Sequence, residues 1–306
     1  MMQSMAEYHI PVMAKECIDA LAIQPEGTYV DATFGGGGHA AEILVRLGEK
    51  GKLIAFDKDE DALLNAPRME RLILVHHDYA YMKNYLRYLG TIPVQGILAD
   101  LGISSHQVDT ADRGFSFRYD AALDMRMDAD LELTAATLLN TYKEKDLQQV
   151  FGMLGEVPNA RTLAEEVVRR RQIAEIGTTG ELVDIAGAVC PASVPEKKYL
   201  AQVFQALRIE VNQELENLKS FLEQAAAVLA PGGRLVVLTY HSLEDRLVKN
   251  FFRTGKFRGN EDKDIFGNVR KPLRQLHSKP LIPSVEEVVL NPRARSAKLR
   301  VAEKLK

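Results

Sequence analysis

Asp31-Ala32-Thr33-Phe34-Gly35-Gly36-Gly37-Gly38-His39 decides the fold. On its N-terminal side, residues 28–32 (TYVDA) form a short β-branched and aromatic run, the composition of a buried strand. On its C-terminal side, residues 39–47 (HAAEILVRL) place apolar side chains at helical spacing and stop at Gly48. Four glycines between a strand and a helix let the backbone turn tightly and come close to a ligand. The helix that follows begins with N–H groups that have no partner inside it.

The alternation repeats. Residues 52–56 (KLIAF) read as a second strand ending at Asp57, and 59–65 as a short helix stopped before Pro67. Residues 72–75 (LILV) are a third strand, 81–89 a helix, and 95–99 (QGILA) a fourth strand ending at Asp100. Such alternation implies a parallel sheet with helices on both faces. Ligands of these sheets bind beyond the carboxyl ends of the strands, where Asp31, Asp57, Asp78 and Asp100 all fall. The pattern then lapses. Residues 134–189 show only helical periodicity and loops, with helices expected at 133–142 and 160–173, and a long helical stretch follows over 200–229. It resumes with Pro231-Gly232-Gly233, a strand at 234–240 (RLVVLTY), a helix near 243–253 and a last strand at 297–302. The expectation is one α/β domain, residues 1–110 with 200–306, interrupted by a helical insertion at 111–199 that is a candidate for substrate recognition.

The 306 residues, 46% of them hydrophobic, suffice for one large core or a core with an insertion. No apolar run is long enough for a bilayer. Met1 to Tyr8 lack the basic start and apolar stretch of a secretion signal. A cytoplasmic protein without a membrane segment is expected. Cys17 and Cys190 form no CxxC pair and predict neither a zinc site nor a disulfide framework. His76-His77 has no partner at ligand spacing and reads as structural. Net charge is −3 but unevenly spread: residues 246–306 hold 16 Lys+Arg against 6 Asp+Glu, whereas the rest holds 23 against 36. A basic C-terminal fifth on an acidic body suits a face that meets polyphosphate, and equally a solvated basic tail.

Asp57 lies 19 residues after Gly38, at the end of the next strand. An acid at that offset binds the ribose hydroxyls of an adenosine. The layout serves a dinucleotide or S-adenosylmethionine. Two details favour the second: the spacing is not GxGxxG, and a carboxylate at Asp31 suits the cationic amino group of a methionyl moiety better than a pyrophosphate. Leu229-Ala230-Pro231-Gly232-Gly233-Arg234-Leu235 adds a helix–turn–strand join found before a late strand in methyltransferases, although it is also a generic connection. The fold class expected is α/β, a Rossmann-like methyltransferase with a mainly parallel twisted sheet and an inserted helical domain.

Further segments add polar and aromatic residues. Asp100-Leu101-Gly102-Ile103-Ser104-Ser105-His106-Gln107 follows the fourth strand, where a methyl acceptor meets the cofactor in such a fold, or forms an Asx-type turn. Arg113-Gly114-Phe115-Ser116-Phe117 and Leu123-Asp124-Met125-Arg126-Met127 interleave aromatic and Arg side chains. That pattern serves base stacking and phosphate contact, or packing of the insertion. In Tyr240-His241-Ser242-Leu243-Glu244-Asp245-Arg246, His241 is a candidate proton acceptor or substrate contact; a helix cap by Ser242 is the structural alternative. Asn291-Pro292-Arg293-Ala294-Arg295-Ser296-Ala297-Lys298-Leu299-Arg300 is a phosphate-contacting turn or a basic surface loop.

DATFGGGGH, DLGISS, RGFSF, LDMRM, HSLEDR and NPRARS, in this order and over nearly the whole chain, resemble the motifs of the bacterial 16S rRNA (cytosine-N4)-methyltransferases, the MraW-type enzymes. The resemblance implies S-adenosylmethionine as cofactor, no metal, and 16S rRNA within the small ribosomal subunit as partner. The acceptor it implies is the exocyclic N4 of a decoding-region cytosine. It assigns cofactor contact to Gly37, Gly38, His39, Asp57, Tyr79, Asp100 and Gln107, with Asp57 as the ribose acid and Tyr79 near the adenine. Asp100 is the candidate catalytic residue, accepting hydrogen bonds from the amino group. The chain departs from the family at Gly36, where a longer basic residue is common, at His106, where a Pro is common, and at Gly155-Glu156-Val157-Pro158-Asn159, where a GEE-type segment is common. Its DLGI loop also differs from the Asp/Asn-Pro-Pro-aromatic motif of many amino-methyltransferases, which leaves Phe115 or Phe117 as the candidate aromatic clamp. Rival readings are a methyltransferase on another RNA, an NAD-dependent oxidoreductase and a non-catalytic RNA-binding assembly factor. Carbon-5 methylation of cytosine needs a cysteine near the pocket, but Cys17 precedes the fold and Cys190 lies in the insertion.

Overall fold

The computed structural model describes residues 11–64, 66–67, 69–259 and 271–305. Met1 to Tyr8, the helix end expected at Asn65 and part of the basic C-terminal fifth lie outside the described residues. The first hundred residues run α1 (Ala14–Leu21), β1 (Thr28–Asp31), α2 (Gly38–Arg46), β2 (Lys52–Asp57), α3 (Glu60–Leu64), β3 (Leu72–His76), α4 (Met82–Tyr88) and β4 (Val94–Asp100). Helices follow: α5 (Ser105–Asp109), α6 (Ala135–Thr141), α7 (Glu144–Gln149), α8 (Ala160–Arg171), α9 (Thr179–Val189), α10 (Glu196–Val211) and α11 (Glu214–Val228). The last elements are β5 (Leu229–Thr239), α12 (Ser242–Thr254), β6 (Leu273–Gln275), α13 (Val285–Leu290) and β7 (Lys298–Lys304). The chain forms two compact units, residues Met1–Gly102 with Leu215–Lys306, and Ile103–Glu214.

The first unit carries a seven-stranded sheet in the order β3-β2-β1-β4-β5-β7-β6. β1 to β5 pair in parallel, and β7 runs antiparallel between β5 and β6. The expected α/β fold with a mainly parallel sheet is thus present. Side chains alternate across the sheet. Ile54 and Phe56 face a core with Leu86, Phe221, Leu222 and Phe252, while Leu53 and Ala55 face Ile18, Leu21, Ile43 and Leu44. Both faces are therefore covered, and each fully buried Leu or Phe contributes about 1.5–3 kcal/mol.

β5 begins earlier than its apolar run predicts. Leu229 pairs with Val94 and Arg234 with Gly96, so residues 230–233 bulge out opposite Gln95. Gly232, at φ 80, makes the turn of that bulge.

In the second unit, Phe115, Leu138, Phe151, Leu163, Tyr199 and Leu207 belong to a separate core. The helical stretch expected over 200–229 is present as two helices, α10 and α11. The break is at Asn212, whose amide accepts from Met127 N at 2.8 Å and donates to Met125 O at 2.8 Å and Arg208 O at 2.9 Å. Gln213 then takes a left-handed φ of 49. No glycine or proline marks the break, and a tertiary hydrogen-bond demand makes it.

Candidate active site

β2 and β3 lie on one side of β1, β4 and β5 on the other. The crevice beyond the carboxyl ends of β1 and β4 is therefore the point where strand order reverses, the usual ligand position in open α/β sheets. Asp31 ends β1, Asp57 ends β2 and Asp100 ends β4. Since these strands are neighbours, three carboxylates collect at one end of the sheet.

The glycine loop is fixed from beneath. Phe34 N donates to Phe56 O at 2.8 Å. Gly35 N donates to Asp57 Oδ2 at 2.7 Å, and Asp59 N to Asp57 Oδ1 at 2.9 Å. Asp57 thus braces the loop, and each of its oxygens keeps acceptor capacity toward the crevice. Burial raises its pKa, against the pull of those two N–H groups. Gly35 and Gly37 hold φ of 52 and 75, and Gly37 leads into α2 without any side-chain cap. The first N–H groups of α2 are left to water or a ligand. A Cβ at Gly36 would meet nothing within 4 Å, whereas one at Gly38 would press on Pro11 at 3.1 Å. Close approach at Gly38 thus serves the N-terminal segment. The same segment holds His39, which is buried with Nε2 at 3.1 Å from Val12 O.

Asp31 is 1% exposed. Its Oδ1 accepts from Thr33 N at 3.1 Å, and its Oδ2 is buried with no partner among the described residues. Burial raises its pKa well above the ordinary carboxylate range; the Thr33 N–H opposes this, and the Asp100 and Asp57 charges add to it. Asp100 Oδ1 accepts the Tyr240 hydroxyl at 2.6 Å, and Oδ2 lies 3.7 Å from His39 Nδ1. Thr33 Oγ1 accepts from Asp100 N at 2.7 Å, joining the two strand ends. Burial raises the Asp100 pKa, while His39 and the Tyr240 hydroxyl hold it down. The Tyr240 phenol is itself pushed well up by burial and by Asp100, so it remains a donor.

This arrangement calls for a cation. A buried carboxylate oxygen without a partner is strongly unfavourable, and two neighbouring carboxylates make it worse. A pyrophosphate would add negative charge to the cluster. A ligand bearing an ammonium and a sulfonium would relieve it. The residues therefore fit S-adenosylmethionine and fit a dinucleotide poorly.

The other sequence candidates are placed as follows. Asp78 is already neutralised by Lys58 Nζ at 3.3 Å and bonded by Asn217 Nδ2 at 3.0 Å. Tyr79 follows it, with its ring edge-on to Phe221 at 5.2 Å. His77 accepts from Asp78 N at Nδ1 and packs on Tyr81, and His76 Nε2 lies 3.3 Å from Lys58 O. Gln107 belongs to the second unit, where it is buried and forms a reciprocal cap with Ser104 at the start of α5. Phe115 is buried in that unit's core and Phe117 packs edge-on against Phe204 at 5.4 Å, so these rings serve packing. Arg126 is spent on Asp124 at 2.7 Å. His241, not Ser242, precedes the first turn of α12, and Glu244 accepts from Tyr240 N at 2.8 Å and His241 N at 3.3 Å. Cys17 does not simply precede the fold. It is fully buried in α1, near enough to Asp100 and Asp31 to feel both, and burial and those charges push its thiol well up. A neutral buried thiol is a poor nucleophile, so Cys17 is ill suited to carbon-5 chemistry. The Asp100–Tyr240 and Asp100–Thr33 contacts were not visible in the sequence, because 140 and 67 residues separate the partners.

Comparison with known proteins agrees with this geometry. Ribosomal RNA small subunit methyltransferase H of Bacteroides thetaiotaomicron is 52% identical over 297 residues, covering 97% of each chain. The protein of that name from Cytophaga hutchinsonii is 53% identical over 299 residues, covering 97% of this chain and 99% of its own. Among solved structures, an rRNA methylase from Streptococcus thermophilus aligns over 97% of this chain and 99% of its own, at 14% identity and a TM-score of 0.44. At that level the likeness carries no weight beside the strand order itself. The profile of the MraW methylase family matches residues 6–305, and with half-identical relatives along its length the chain belongs to that family.

Proposed function

We propose that the chain is an S-adenosylmethionine-dependent methyltransferase that modifies the exocyclic N4 of a decoding-region cytosine in 16S rRNA, within the small ribosomal subunit and in the cytoplasm. One observation carries the cofactor: the unpartnered, buried Asp31 Oδ2 in a cluster with Asp57 and Asp100. The relatives named above support the RNA substrate. Gly37, Gly38, His39, Asp57, Tyr79, Asp100 and Gln107 are the proposed cofactor contacts. Asp31 receives the ammonium, Asp57 the ribose hydroxyls, and Tyr79 lies near the adenine.

When bound, S-adenosylmethionine supplies a methyl group activated by its sulfonium. The chain's task is the nucleophile. The cytosine N4 lone pair is conjugated into the ring, and the base leaves its stack to reach the pocket. Asp100 accepts a hydrogen bond from the amino group, turns the lone pair out of the ring plane and aligns it with the methyl carbon. Transfer would form the N4–C bond as the cofactor's S–C bond breaks and a neutral thioether leaves, and the proton that N4 then loses would pass to Asp100. A carboxyl pKa raised by burial suits that role. Tyr240 holds Oδ1 at 2.6 Å and leaves Oδ2 on the side of His39, so the orientation of the acceptor is fixed. Asp100→Asn tests the assignment: at saturating cofactor, so that any weakened cofactor contact is offset, transfer to small ribosomal subunits falls about 100-fold or more, as expected for loss of a positioned general base. Near-normal turnover excludes Asp100 from the chemistry.

A further inference from the structure

The first unit holds a cavity of about 300 Å³ beside the crevice, where β5 meets β7. Tyr240 lines it, the residue whose hydroxyl donates to Asp100. Lys298 pairs with Thr239 and Leu238 with Asp100, so the cavity opens at the same end of the sheet as the carboxylate cluster. Its lining is mixed: Ile282, 69% exposed, and Val288 are apolar, and Arg295, Ser296 and Lys298 are cationic or hydroxylic.

Arg295 makes no ion pair among the described residues, and Lys298 shares one carboxylate, Asp245, with Arg300, at 3.5 and 2.7 Å, so the cations here outnumber their acidic partners. Two carboxylates on the adjoining elements have backbone partners: Glu287 accepts from Met13 N at 2.6 Å and Glu244 from Tyr240 N. His241 also lines the cavity, nine-tenths buried, and its Nδ1 has no hydrogen-bond partner among the described residues. Its Nε2 lies 3.1 Å from Glu244 Oε1. Apolar side chains together with cations and hydroxyls around one cavity are the combination that one nucleotide of a single strand requires, for its base and for its phosphate.

We propose that this cavity seats the nucleotide adjoining the methyl-accepting cytosine, with its base against Ile282 and Val288 and its phosphate on Arg295 and Lys298. The proposal rests on the RNA reading above. A base drawn out of its stack toward Asp100 pulls its neighbouring phosphate with it, and the cavity shares the Tyr240 wall with Asp100. The cavity then sets the register of the strand and contributes to affinity without touching the reacting atoms.

The test uses the full chain and unmethylated small ribosomal subunits. Arg295→Ala with Lys298→Ala raises KM for subunits about 10-fold or more. It also lowers the slope of log affinity against log salt by about 0.7 for each phosphate that is no longer neutralised. The affinity for S-adenosylmethionine and kcat at saturating subunits stay within twofold. Independently, subunits assembled with 4-thiouridine beside the target cytosine cross-link to residues 282–298 of the wild-type protein. Unchanged KM and salt slope, or a cross-link on another segment, overturns the proposal while methyl transfer stands. A wild-type chain that binds S-adenosylmethionine but transfers nothing to RNA overturns the reading beneath it, which is a distinguishable result.

Discussion

Asp31→Asn should pull stability and cofactor binding in opposite directions. The side chain is 1% exposed, with one oxygen bonded to Thr33 N and the other to nothing described. Asparagine keeps the shape and keeps an acceptor for Thr33 N, but removes a buried charge repelled by Asp57 and Asp100. Neutralising an uncompensated buried charge gains several kcal/mol, and leaving an amide donor unpaired costs about 1–3 kcal/mol. The ligand-free protein is therefore stabilised by about 1–2 kcal/mol, or roughly 2–8 °C in Tm at about 2–4 °C per kcal/mol. Binding loses a charge-assisted hydrogen bond to the ammonium, about 1.5–3 kcal/mol, which is about 10- to 150-fold in Kd. Calorimetric titration with S-adenosylmethionine and thermal melts of the free protein read both quantities. The sign of the pH dependence follows. Because folding raises the Asp31 pKa, its contribution to ligand-free stability is present below its unfolded pKa and is lost as pH rises through the raised folded value. Cofactor affinity runs the other way, falling as pH drops through that value, since the cation needs the ionised carboxylate. A variant with unchanged Kd, or with a lower ligand-free Tm, refutes the assignment of a cation site.

Three further expectations follow from particular contacts. Tyr240→Phe removes the hydroxyl from Asp100 Oδ1, so the Asp100 pKa rises and the acid limb of the pH–rate profile moves to higher pH; an unmoved limb would deny Tyr240 its positioning role. Gly36→Lys leaves folding and turnover within about twofold, because a Cβ there meets nothing, whereas Gly37→Ala, at φ 75, loses about 1–2 kcal/mol of stability; melts and turnover of the pair check this. Asn212→Ala leaves Met127 N and Met125 O without their partner and destabilises the second unit by about 2–4 kcal/mol in urea unfolding, with a loss under about 0.5 kcal/mol contradicting the proposed cause of the helix break.

Much of the first unit was legible because its strands are buried on both faces and punctuated by glycine and acid. Residues 28–32, 52–56, 72–75 and 95–99 fall within a residue or two of β1 to β4. Sequence shows residue type and local period, and both fall silent wherever a distant partner decides. Gln213 turns out of the helix because Asn212 must serve Met125 and Met127, 87 and 85 residues away. α1 and the three-residue β6 were not anticipated; β6 is defined by its pairing with β7 rather than by its own pattern. In the site, the acids at the strand ends were visible by position, but their inequality was not. Asp78 is neutralised by Lys58, whereas Asp31 has no cation and keeps Oδ2 without a partner among the described residues, a distinction set by tertiary neighbours. The aromatic pair Phe115 and Phe117 shows the same limit, since composition cannot tell a stacking platform from a core.

The most direct measurement is methyl transfer from labelled S-adenosylmethionine to small ribosomal subunits lacking this modification, with free 16S rRNA in parallel and modified nucleosides identified by mass spectrometry. The expected result is N4-methylcytidine at a single site on at least one of the two substrates, and its loss in Asp100→Asn. A cofactor-bound protein that gives no N4 product on either substrate, or a product methylated at carbon 5, would contradict the proposed function.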